Sequence, residues 1–544
     1  MAGGPALAAA LAATLLAVTS ASGASEQTPK RGGTIFVGTL REPACLNAWL
    51  ERCHGNIPPA GHIMNLALRG AFKIGPGFAW QYDLVSRVDY TTRSPFTLTY
   101  HIRPEARWSD GVAITAQDFE FTHETLQTLP ESDREGLGLE YVRSITQVDA
   151  KTVKVRLRSR YSSWHGLFSR ILPRHALRGE NFASVWLDRI HNPKTGRPIG
   201  SGPFLIGGWE RGQAVNFVRN ARYWGEHRAY LDRVVLRFGE ASDQISLLRT
   251  GRLDLVMTLG VTAQHVKEFR SVPGVRVLAV PGPLWEHFDI RMDDGAHPAL
   301  QGSKGKVVRQ ALIYGMDRAG IARSIYGAAS VVSQSAIFLS ASPHYQDNWQ
   351  RYRHRPNEAR RLLARAGCQR GADDVYRCAG ERLSLRFLTT AGAGSPRERT
   401  LQLVQRQLKQ VGIEVTPVYA PSQILFQGIL KSGEFDVALY NWIRWPDAAL
   451  EQGDVYGCGG SDNASGYCQR LVTADLDQAR RILDATQLAR VLNRADRQLA
   501  KDVPVIPFVE RALLAAYTTS VRNVDLSTRE WNPLANAENW WLAE

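Results

Sequence analysis

An α/β fold in two lobes is what this sequence predicts, and three observations carry that prediction. Strand-like apolar runs alternate with segments of helical spacing along the chain after residue 31, the pattern of stacked α/β layers. The alternation is broken by a composition shift at Pro281-Gly-Pro283, which reads as the best domain boundary. At 544 residues the chain exceeds what one core supports and is long enough for about three domains of ordinary size.

In order, Gly32-Gly33 lead into a strand over 34–38, followed by a loop from Arg41 to Cys53 that carries Trp49. Residues 83–102 alternate in two segments around Thr92-Arg93-Ser94-Pro95, which predicts a hairpin. Trp108-Ser-Asp-Gly111 is a turn, and Thr115 with Asp118 three residues on predicts a capped helix start. A strand over 152–157 and a hairpin over 204–209 and 214–219 follow, then strands at 233–238, 254–257 and 275–280, with a helix from Ser242 to its stop at Gly251. Beyond the boundary, Asp317 caps a helix, and another begins at Pro356 and stops at Gly367. A strand over 383–388, a helical stripe at Leu401, Val404, Leu408 and Val411, and a strand over 413–418 continue the alternation. One helix is expected over 478–500 and a strand over 503–508.

The stretch Phe435 to Leu450, FDVALYNWIRWPDAAL, is the candidate functional element. Val437 to Tyr440 suit a buried strand, and Trp442, Arg444, Trp445, Pro446 and Asp447 follow its end. Ligands of open α/β sheets bind in the crevice beyond the carboxyl ends of strands, so these side chains are placed to form a ligand wall. The competing reading is that both indoles are core or rim residues in a chain that has 14 tryptophans.

Composition, 44% hydrophobic and 22% charged, is that of a globular protein. Residues 1–24 are an uncharged Ala/Leu/Val-rich segment closing on small residues, as in a secretory signal peptide cut after Gly23 or Ala24. No Lys or Arg precedes Lys30, so a short membrane anchor is the alternative; no cysteine precedes Cys45, and no lipid-anchor cysteine is expected. No later apolar run approaches the ~20 residues that span a bilayer. The expected location is periplasmic or secreted. The net charge of +14 comes mostly from scattered arginines without a run of like charges, which reads as a solvated surface with no nucleic acid partner.

Six cysteines in an exported chain favour disulfides. Their clustering points to the local pairs Cys45 with Cys53, Cys368 with Cys378 and Cys458 with Cys468, each stapling a loop. A zinc site is the rival, but no CxxC occurs and only His54 adjoins a cysteine pair. The chain has no HExxH, nucleophile elbow, P-loop or dinucleotide fingerprint. Neither catalysis nor a cofactor or metal is therefore expected, and a secreted hydrolase is the alternative from another class.

The run Leu98-Thr-Tyr-His-Ile-Arg-Pro-Glu-Ala-Arg-Trp108-Ser-Asp-Gly111-Val-Ala-Ile-Thr-Ala116-Gln-Asp118-Phe resembles the signature of family 5 extracellular solute-binding proteins, the dipeptide and oligopeptide receptors that feed ABC importers. Gly32-Gly33-Thr34, Gly200-Ser-Gly202-Pro203-Phe204, Asn220 to Trp224, Val308-Arg309-Gln310-Ala311 with Asp317-Arg318, and Gly433-Glu-Phe-Asp436 extend the resemblance over nearly the whole chain. It implies a two-lobed periplasmic-binding-protein clamshell with an additional subdomain. Lobe I would be built from 31–68, 198–282 and 508–544, the subdomain from 69–197 and lobe II from 283–507. It implies a monomer that closes on a peptide, oligosaccharide or anionic compound and docks on membrane permease subunits; a sensor or chaperone on the same scaffold is the alternative. The ligand would meet Tyr440, Asn441, Trp442, Arg444, Trp445 and Asp447.

Peptide-binding members resemble one another in an Asp after the cleft Trp, in a WxxDYPDP-like run, which pairs with the ligand's ammonium. Here the run is one residue shorter, and either alignment puts Trp445 or Arg444 at that position. An unpaired buried ammonium costs about 3–5 kcal/mol, so simple dipeptides with a free amine are expected to be poor ligands. Arg444 between two indoles suits a flat, sugar-like or anionic ligand.

Overall fold

The computed structural model describes residues 28–543 apart from 40, 55–58, 135, 391, 445–447, 529–531 and 533. The expected signal peptide and the site candidates Trp445 and Asp447 lie outside the described residues.

One eleven-stranded sheet runs through the described protein. Its centre is an antiparallel pair of long strands, Val275–Ile290 and Val505–Thr518, that serve both lobes. Near Val275 the pair continues into lobe I: Leu255–Leu259 lies against Leu513 to Tyr517, with Thr34–Thr39 parallel beside it. Toward Ile290 the pair continues into lobe II: Val437–Ile443 lies against Leu284 to Ile290, followed by parallel Ser384–Thr390 and Glu414–Ala420.

Pro281-Gly-Pro283 therefore interrupts the ladder without ending the strand. The prolines lack the N–H a ladder needs, and the sheet absorbs them as a bulge where the register shifts between Pro281 and Leu284. A Cβ on Gly282 would stand 2.9 Å from the Arg511 carbonyl oxygen, so the two backbones approach too closely there for any other residue.

The packed interior divides at the same place. One core joins Ile35, Val37 and Val234 of lobe I to Val85, Tyr100, Trp108 and Phe119, so the residues around the four-stranded antiparallel sheet share their interior with lobe I. A second gathers Phe288, Leu312, Phe387, Leu439, Leu492 and Phe508 around the other half of the long strands. The four-stranded sheet, Val85–Tyr90, Thr97–Ile102, Thr152–Leu157 and Val142–Asp149, is the additional subdomain, with helix Ala116–Gln127 beside it.

The sequence motifs turn out to be joints. Asp118 accepts the Thr115 N–H at 2.8 Å to close the helix start and takes the Arg174 N–H at 3.0 Å with its other oxygen. Asp317 accepts the Gly320 N–H at 2.9 Å as a helix cap. Arg309 donates to the carbonyls of Leu300, Asp502 and Val503, and Arg318 to those of Ser333, Pro507 and Tyr352, each tying a helix to the long-strand pair or its approach. Three disulfides close Cys45–Cys53, Cys368–Cys378 and Cys458–Cys468.

Besides the strand that runs on through the prolines to Ile290, two element boundaries differ from expectation. The helix expected over 478–500 is two, Arg470–Ala479 and Ala485–Asp502, because Asp484 accepts the Gln487 N–H at 2.7 Å and starts a new helix. The strand expected to end at 508 runs on to Thr518, since its continuation is buried between two neighbours, a setting that suits an uninterrupted apolar run.

Asp436 ties three segments together among these motifs. Buried, it accepts from the His297 N–H at 3.0 Å and from the Arg386 backbone N–H at 2.8 Å, and pairs with the Arg386 guanidinium at 3.1 Å. Asp436→Ala strands these donors and lowers unfolding free energy by about 3 kcal/mol; urea denaturation measures the loss, and a change under about 0.5 kcal/mol contradicts this role.

Candidate functional site

Strand Val437–Ile443 is parallel to Ser384–Thr390, and its carboxyl end reaches the junction of the lobes beside the bulge. Alternation along it splits the candidate residues between two faces. Tyr440 and Trp442 share one face, their rings 5.9 Å apart edge to face. Asn441 takes the other.

Tyr440 is core. It is 1% exposed, and its hydroxyl donates to the Asp289 carboxylate, with burial and that anion holding the phenol well above its usual range. Its ring meets His287 at 4.5 Å, and His287 stacks on Trp285 at 4.2 Å. A hydroxyl already committed to a buried carboxylate is not a ligand contact, so the expectation for Tyr440 does not survive the packing around it.

Asn441 belongs to a charge cluster on the opposite face. Its amide oxygen accepts from Arg397, which also donates to the Glu286 carboxylate at 3.1 and 3.2 Å and to the Thr390 hydroxyl at 2.9 Å. Glu286 is completely buried and takes a further bond from Arg511 at 3.0 Å; Arg511 also donates to the Gly260 carbonyl of lobe I. Burial opposes ionisation of Glu286, but the two guanidiniums outweigh it and hold the carboxyl below its usual range. Asn441 is thus held in a clamp across the hinge.

Arg444 is the expected residue that faces a cavity. It is only 4% exposed; its guanidinium lies 4.2 Å over the Trp285 ring and donates to the Ala336 carbonyl at 2.7 Å. Among the described residues no carboxylate forms an ion pair with it. The cavity it lines has a volume of about 330 Å³, in the range of small-molecule sites. Phe338, His344, Leu488 and Leu492 line the lobe II side with Arg444, and Trp80, Ser162, Ser163 and His165 the subdomain side; no Asp or Glu is among the lining residues described. Trp442 stands behind this wall, half buried against Tyr440.

The family model for bacterial extracellular solute-binding proteins, family 5 (middle), matches residues 81–463. The chain belongs to that family. Oligopeptide-binding protein OppA of Mycobacterium tuberculosis is 26% identical, over 93% of this chain and 85% of the relative. The solved structure of the periplasmic EDTA-binding protein EppA superposes with a TM-score of 0.80 at 20% identity, covering 95% of this chain and 98% of that one. That of AppA from Bacillus subtilis, in complex with a nonapeptide, gives 0.71 at 22% identity, covering 95% and 100%. The fold of this family 5 protein is the two-lobed clamshell.

Trp80, Ser162, Ser163, His165 and Phe338 were not legible as site residues in the sequence. They lie more than 100 residues from Arg444, in segments with no periodic pattern, and only the docking of subdomain on lobe II brings them to one cavity. Trp80 and His165 stack nearly parallel, 5.8 Å apart. Burial pushes the His165 imidazole down to about 4, so this wall is uncharged at neutral pH.

The sign of that shift sets a pH dependence. The unfolded imidazole binds its proton below about 6.5, whereas the folded one refuses it until about 4, so its contribution to stability is complete above 6.5 and lost as pH falls from 6.5 to 4. Melting temperature therefore falls across this window, and His165→Asn makes the fall shallower. An unchanged slope in the variant rules out this coupling.

Proposed function

We propose that this protein captures a small anionic solute outside the cytoplasm, in the cavity walled by Arg444, and delivers it to an ABC-type import permease. Export by removal of residues 1–24 is part of this reading, as is the division into lobe I at 31–68, 198–282 and 508–544, subdomain at 69–197 and lobe II at 283–507. The carrying observation is Arg444 itself: a guanidinium almost wholly withdrawn from water, on the wall of an apolar cavity, which among the described residues meets the Ala336 carbonyl, the Trp285 ring and the Tyr456 phenol but forms no ion pair with a carboxylate. Burying a charge without a counter-charge is expensive, and an anionic group arriving with the solute offsets that cost.

The same wall argues against ordinary peptides. The lining residues described include no carboxylate to receive a ligand ammonium, in keeping with the shortened run after Trp442. Relatives of this fold are named for quite different cargo, EDTA for one and a nonapeptide for another. Closing the lobes around the long-strand hinge would bring both walls onto the solute, favouring the closed form by whatever the second wall contributes.

Native mass spectrometry of the secreted protein, purified without denaturation, tests this directly. The expected result is a retained small anion, with binding of that compound weakened by about 2–5 kcal/mol in Arg444→Ala and less in Arg444→Lys. A retained peptide with a free amino terminus, or micromolar titration of a simple dipeptide, refutes the reading.

A further inference from the structure

The cavity has a second set of polar groups that the family resemblance did not point to. Ser162 and Ser163 line it from the subdomain, are 6% and 3% exposed, and their hydroxyls have no hydrogen-bond partner among the described residues. Buried hydroxyls without partners are uncommon, because each costs its desolvation unless something completes it. Both belong to a segment that already touches lobe II: the Ser162 N–H donates to the Arg480 carbonyl at 2.9 Å, and Leu483 packs against the core shared by lobe I and the subdomain. The remaining lining is largely hydrocarbon and ring, including Trp80, Phe338, Leu339 and Leu492.

From this arrangement, which rests on the anionic reading above, we infer that the subdomain is the second jaw of the site, and that its solute is an amphipathic carboxylate. Arg444 receives the carboxylate from lobe II, the hydroxyls of Ser162 and Ser163 donate to it from the subdomain, and the apolar body lies among Trp80, Phe338 and Leu492. Ser162 and Ser163 are then specificity-determining residues. A carboxylate oxygen accepts from a guanidinium and a hydroxyl together, which neither an amide nor an ammonium can do equally well. Because the subdomain shares its core with lobe I, it moves with that lobe, and closure of the clamshell brings the serines to Arg444.

Calorimetric titration with octanoate, acetate and octanamide tests the inference. Octanoate is expected to bind about 100-fold or more tighter than acetate, through its buried methylenes, and about tenfold or more tighter than octanamide, through its charge. Ser162→Ala/Ser163→Ala is expected to weaken octanoate about tenfold while leaving the melting temperature unchanged or raised, since the hydroxyls hold nothing in the free protein. A merely structural role would lower it. The single Ser162→Ala and Ser163→Ala variants keep the test available should the double variant fail to fold.

Wild-type octanoate affinity in the double variant, or octanoate no better than acetate, overturns the inference while leaving the anionic reading intact. Octanoate binding that is indifferent to Arg444→Ala overturns that reading as well.

Discussion

Everything in this molecule hangs on two strands that refuse to stop at a domain boundary. Val275–Ile290 and Val505–Thr518 pair over both lobes, and between the lobes the ladder is loosened by the bulge at Gly282 and Pro283 and by a second register shift between Glu286 and His287. The clamp of Glu286 with Arg397 and Arg511, reaching the Gly260 carbonyl, sits at this crossing. A buried carboxylate between two guanidiniums is costly to disassemble, so the cluster fixes the register of the strands where the lobes meet. The carboxyl end of Val437–Ile443 arrives at this crossing, which is why Arg444 meets a cavity between lobe II and the subdomain.

The arginines show how one residue type serves two ends. A net charge of +14 spread over scattered arginines reads as a solvated surface, yet Arg69, Arg309, Arg318 and Arg444 are all buried. Arg309 and Arg318 are surrounded by backbone carbonyls, which satisfy the guanidinium fork without a carboxylate, although burial still pushes each down to about 10. Among the described residues Arg444 has the Ala336 carbonyl, the Trp285 ring and the Tyr456 phenol. The difference is visible only in partners, because the sequence around each arginine does not say what packs against it.

Much of the fold was legible locally. The capped helix starts at Thr115 and Asp317, the stops at Gly251 and Gly367, and the cysteine pairs all depend on neighbours a few residues apart, where spacing and side-chain chemistry act directly. Three readings were incomplete for a shared reason. The prolines at 281 and 283 read as a break in the chain but lie inside one continuous strand, Asp484 is not read as a cap, and Tyr440 reads as available to a ligand. Each outcome was settled by what lies opposite: a bulge partner in Arg511, a turn between two packed helices, and the Asp289 carboxylate across the sheet.

By itself the sequence determined the α/β alternation, the stapled loops and the family. Those follow from residue identity and short-range spacing. Tertiary structure alone decided which face of the strand at 437–443 meets core, hinge or cavity, since a period of two assigns sides but not what covers them. It also decided that Ser162, Ser163 and Trp80 face Arg444 across one cavity. Residues so far apart in the chain share a site only because the subdomain packs with lobe I and is carried against lobe II, a consequence of core burial that leaves no mark near any one of them.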